Sequence, residues 1–162
     1  MPYAPPLLVA LLVACGVLQV GFDLYNGAKP GVVGAALLGG LAVLGVVFLL
    51  LRGRGKPERF VQTTTALAAV YVLFDAAVFP LTLLIPLKKI LAHPIQPLAL
   101  SGGQTLAMLA IGVLGVWQLC AWVGILRRAL EIPVAGGLLV LILLACVNVI
   151  VIALTANLVG AA

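Results

Sequence analysis

Asp75 sits inside Val72-Leu73-Phe74-Asp75-Ala76-Ala77-Val78, far along an apolar stretch. An ionisable group at membrane depth is costly, so it must pair, face water or hold a proton. It follows Arg59 by 16 residues (75 − 59), which on a helix is about 24 Å. Asn148 follows Ile132 by the same 16 residues, and Gln19 reaches a similar height if its helix starts near Tyr3. Asp75, Asn148 and Gln19 are therefore expected to form one polar layer. Gln118, between Trp117 and Leu119, is the mid-membrane polar residue of a further run and suits an interhelical hydrogen bond. Such a layer serves as a proton or ion relay, as a hydrogen-bonded clamp between helices, or as a simply solvated interfacial Asp. The clamp is the simplest expectation, because the pattern places no second acid or base at that depth.

Other chemistry has little material. His93 is the only histidine and Ser101 the only serine, so neither a His-ligated metal or haem nor a Ser/His/Asp triad is expected. Gly55-Lys56-Pro57 lacks the hydroxyl residue and upstream glycine frame of a phosphate loop. Cys15, Cys120 and Cys146 all fall within apolar runs and read as free thiols packing as small hydrophobes. No catalytic, cofactor-binding or metal residue is expected, and the chain reads as non-enzymatic. Leu12-Val13-Ala14-Cys15 has the shape of a lipoprotein cleavage box. The absent basic n-region and the apolar run continuing to Phe22 favour a retained first helix.

The elements that carry these residues follow from composition. Thirteen of the 162 residues are charged (nine Lys and Arg, four Asp and Glu), and 65% are hydrophobic, whereas about a quarter of a soluble domain is charged. Five apolar runs, at about 7–25, 31–51, 60–85, 104–126 and 133–159, each approach the roughly 20 residues that cross a bilayer. The expectation is a single all-α domain, a polytopic membrane helical bundle with about five transmembrane helices. Its main partner is the lipid bilayer. Nucleic acid is excluded, since no basic face is interleaved with exposed aromatics.

The charges also suggest an orientation. Arg52, Arg54, Lys56 and Arg59 follow the second run, and Arg127 and Arg128 end the fourth, so these two loops hold 4 + 2 = 6 basic residues. The opposite side holds three, Lys29, Lys88 and Lys89. The positive-inside rule makes the arginine loops cytoplasmic, where they meet headgroups or a partner. A bacterial inner-membrane protein with an inside amino terminus and a periplasmic carboxyl terminus is expected.

Residues 23–31 read as a tight external turn, and 85–92 as a segment lying flat at the outer interface before a long loop through Gly103. Pro80 should kink or end the third helix. Glu131 before Pro133 reads as a helix start. Short connections should make spans two and three, and spans four and five, antiparallel neighbours. Gln62-Thr63-Thr64-Thr65 should bond back within its own helix. Ala35 with Gly39, and Ala36 with Gly40, form a small-residue face for close helix packing, either within the monomer or in a homo-oligomer.

Arg59-Phe60-Val61-Gln62-Thr63 opens one helix, and Trp117-Gln118-Leu119 with Gly124-Ile125-Leu126-Arg127-Arg128-Ala129-Leu130-Glu131 closes another before a Val/Leu-rich last helix. In these features residues 58–155 resemble bacterial members of the Ypt-interacting protein (YIP) family. The resemblance implies a non-enzymatic helical bundle acting as scaffold or accessory subunit beside a membrane-protein partner. The chain lacks the long hydrophilic amino-terminal region of the eukaryotic members, so no GTPase-binding role is carried over to Asp23-Leu24-Tyr25. The alternative expectation is a small transporter or proton-coupled channel using Asp75.

Overall fold

A computed structural model describes residues 5–25, 27, 30–85 and 101–160. The described residues form five long helices: α1 (Pro5–Tyr25), α2 (Pro30–Gly53), α3 (Phe60–Thr82), α4 (Gly102–Leu130) and α5 (Val134–Gly160). A 3-10 turn, Pro57–Arg59, joins α2 to α3. All five helices are long and apolar enough to cross a membrane. The expected interfacial segment at 85–92 lies, beyond Ile85, outside the described residues, as do Lys29, Lys88, Lys89 and His93.

Several boundaries differ from expectation for local reasons. Ser101 belongs to the start of α4 rather than to a loop. Its Oγ accepts from Gln104 N (3.4 Å) while its own N donates to Gln104 Oε1 (3.0 Å), a reciprocal cap that satisfies two helix-end donors. Pro80 lies in the last turn of α3, which runs only to Thr82. Asp23 lies inside α1, which continues to Tyr25, and not in an external turn. Glu131 does not open α5. It closes α4 in the left-handed conformation (φ 53°, ψ 51°), its N–H donating to Arg127 O, as a C-terminal cap does.

The helices do not pair simply by sequence order. α2 packs most extensively against α5, α3 against α4 and α1, and α4 against α5. The expected antiparallel α4–α5 pair is present: Gly137 lies against Val123 and Arg127. The expected α2–α3 pair is not a principal contact. These helices meet mainly where Phe48 and Phe60 stack edge to face (5.3 Å between centroids) and Leu51 packs near Leu67.

Val47, Leu51, Leu67, Leu126, Ala129, Leu130, Leu141 and Leu144 form one buried cluster at the arginine-loop end. A charged staple closes that end. Lys56 and Arg59 both reach Glu131, the second at 3.0 Å, and Arg59 also donates to the carbonyls of Arg128 and Ala129 at 3.5 Å. Hydrogen bonding from Lys56, then its charge, then Arg59 hold the Glu131 carboxyl below its usual range. Capping α4 thus ties the α2–α3 connection to the α4–α5 turn.

Away from this end, packing is thinner, and α1 has no buried residue. Leu106, Leu109, Val113, Val116 and Leu119 leave an exposed apolar stripe on α4, the kind of surface that lipid covers.

The α2–α5 contact depends on Gly39. A Cβ there would collide with Asn148 Oδ1 and lie 3.1 Å from Ile152 Cγ1, while one at Gly40 would meet nothing within 4 Å. Gly39→Leu should therefore cost about 1–3 kcal/mol by overpacking and lower the melting temperature in mild detergent. Gly40→Leu should melt like the wild-type chain. The reverse order would show that the Gly40 side makes the important contact.

Candidate functional site

α1 and α3 run parallel, because they are separated by one antiparallel element. Their matching levels are visible in three contacts. The half-buried Cys15 thiol donates to Ala68 O (3.7 Å), Tyr71 meets Gln19, and Tyr25 stacks edge to face on Phe79 (6.2 Å between centroids). Each helix carries two polar residues one turn apart: Gln19 and Asp23 on α1, Tyr71 and Asp75 on α3. Residues four apart share a helix face, so parallel packing brings the two polar pairs together.

The resulting network crosses between the helices. Tyr71 Oη donates to Gln19 Oε1, and Gln19 Nε2 donates to Asp23 Oδ2 at 3.0 Å. Asp75 lies one turn beyond Tyr71 on the same face of α3 and lines the same cleft.

These groups border a space rather than filling one. A cavity of about 200 Å³ lies between the helices, lined by Leu18, Gln19, Phe22, Asp23, Tyr71, Phe74, Asp75, Val78 and Phe79. It contains two of the chain's four acidic residues and three of its five phenylalanines, so charge and aromatic surface meet in one pocket. No group of three or more His, Cys, Asp or Glu side chains suited to a metal occurs among the described residues.

The single polar layer expected from the sequence is divided. Asp75 and Gln19 do meet. Asn148 instead faces α2, its Oδ1 against Gly39, buried and without a hydrogen-bond partner. Gln118 is half-buried and makes no side-chain hydrogen bond among the described residues. Tyr71 and Asp23 were absent from the expected layer, and both are central to the network. The i, i+4 repeat of polar residues on both helices is the signal that finds them.

The remaining candidate residues divide by location. Arg52, Arg54, Arg127 and Arg128 are exposed, whereas Lys56 and Arg59 are engaged by Glu131. Ala35 and Gly39 are buried, Ala36 is half-buried and Gly40 is exposed. Thr63, Thr64 and Thr65 each bond to a carbonyl of their own helix region, as expected.

Comparison with protein-family models, characterised proteins and solved structures finds no match to this chain.

α1 packs along α3 but buries no residue of its own, and the polar link adds a specific contact to that packing. Tyr71→Phe removes the hydroxyl while keeping the ring. It should loosen α1 and raise the rate at which a maleimide labels Cys15 by several-fold, from the roughly 1 kcal/mol of a typical hydrogen bond. Gln118→Leu should leave that rate unchanged. Equal labelling in Tyr71→Phe and wild type would show that the link does not hold α1.

Proposed function

We propose that the chain is a multi-pass, non-enzymatic protein of the bacterial inner membrane that moves a proton or small cation through the α1–α3 cleft. In this reading it is a small transporter or proton-coupled channel component. The loops at 52–59 and 127–128 lie on the cytoplasmic side, the amino terminus inside and the carboxyl terminus outside. The orientation is supported by the six basic residues of those loops against three, Lys29, Lys88 and Lys89, in the other connections.

The carrying observation is the cavity with Asp23 and Asp75 on its wall. A clamp needs matched hydrogen bonds in packed surroundings, and one acid suffices for it. Two carboxyl groups beside an unfilled space are costly in an apolar bundle and suit a positively charged occupant. Asp75 stands one turn from Tyr71, whose bond to Gln19 ties α1 to α3, so a change in its charge acts beside that link.

A contact role, of the sort the YIP resemblance implies, would use other surfaces. Exposed Arg52, Arg54, Arg127 and Arg128 would meet headgroups or a membrane-protein partner, and the Gly40 side of α2 would meet a second copy. The burial of Ala35 and Gly39 within the monomer removes half of the small-residue face from that role.

Proton uptake into vesicles containing the purified chain, followed with a trapped pH-sensitive dye under an imposed potential, separates the readings. Asp75→Asn should reach normal abundance in the membrane and reduce uptake to the level of empty vesicles. Undiminished uptake by the variant, or no uptake by the wild-type chain, would contradict the transport reading.

A further inference from the structure

We propose that the α1–α3 cleft binds a small organic monocation of the alkylammonium class. The inference rests on reading the cleft as a cation site and names the chemistry of its occupant. The wall combines Asp23 and Asp75 with Phe22, Tyr71, Phe74 and Phe79. Two carboxyl groups exclude an anion. A neutral apolar occupant would leave both of them without a counter-charge.

Among cations, the aromatic share of the wall decides. Hard inorganic ions require a shell of about six or more oxygens. The oxygens here are few, and Gln19, Tyr71 and Asp23 spend bonds on one another. A cavity of about 200 Å³ is also far larger than a bare metal ion needs. An alkylammonium ion fits both halves of the lining. Its charge is balanced by a carboxylate, and its alkyl groups contact aromatic rings, whose quadrupoles attract cations.

The pocket is placed where such an ion can reach it. The tightly packed cluster and the Glu131 staple lie at the arginine-loop end. Asp75 lies seven residues from the opposite end of α3 (82 − 75) and Asp23 two residues from that end of α1 (25 − 23). On a helix these are about 10 Å and 3 Å. Because Tyr25 is level with Phe79 and Gln19 with Tyr71, Asp23 and Asp75 stand at nearly one depth, and an ion entering from that end meets both.

Equilibrium binding of radiolabelled tetraethylammonium to the full-length chain in lipid nanodiscs tests the proposal. The wild-type protein should bind it saturably, with one ion per chain, and sodium at equal concentration should not displace it. Asp75→Asn should abolish binding. Phe74→Leu, which keeps the apolar volume and removes the ring, should weaken it about two- to fivefold.

Binding that both variants retain unchanged would place the ion elsewhere and overturn the proposal, as would displacement by equimolar sodium. Absence of tetraethylammonium binding beside intact Asp75-dependent proton uptake would remove the organic cation and leave the transport reading standing. Absence of both would remove both.

Discussion

A polar side chain inside an apolar helical bundle has to be answered by another polar group or by water, because hydrocarbon offers neither. That constraint organises this protein more than any single apolar contact. The threonines at the start of α3 satisfy it locally, on carbonyls of the same chain segment. Glu131 satisfies it at a helix end, where one carboxylate collects Lys56 and Arg59. Gln19, Asp23 and Tyr71 satisfy it jointly, across the packed α1–α3 contact.

The two joint solutions differ in what surrounds them. At the arginine-loop end, leucines and valines from four helices close around Leu51 and Leu126, and the charged staple sits over them. The bundle there has small scope for rearrangement. Between α1 and α3 the polar groups border a cavity, and Tyr71 reaches across it to Gln19. One small bundle thus combines a densely packed end with a polar cleft between α1 and α3. Asn148 is the exception: its buried Oδ1 sits against Gly39 without a hydrogen-bond partner.

Much of the fold was legible because transmembrane length and apolarity are strong signals. All five helices lie where the apolar runs stand, and the arginine-rich connections lie at one end. Asp75 was legible as a residue needing explanation, and Gln19 as its neighbour in height. Their relation to Asn148 was not. Rise along a helix gives depth, but which face looks inward depends on helix order, and these helices are apolar all round. The error over Asp23 has a local cause: Asn-Gly and Pro-Gly signal a turn, yet α1 continues two residues beyond Asp23. The α2–α3 pairing failed because a short loop brings helix ends together without dictating how the rest of the helices pack. Glu131 was misassigned because Pro133 marks a helix start equally well when the acid before it caps the preceding helix.

The buried cluster closes the bundle at the arginine-loop end, and water should enter the α1–α3 cleft from the opposite end. Labelling of single cysteines, placed in a background with Cys15, Cys120 and Cys146 replaced, measures this most directly. A cysteine at Phe74, half-buried on the cleft wall, should react with a membrane-impermeant cationic thiol reagent added from the side opposite the arginine loops. A cysteine at Leu126, inside the buried cluster, should not react from either side. An inert cysteine at position 74, or one that reacts only from the arginine-loop side, would show that the cleft does not open to water at that end.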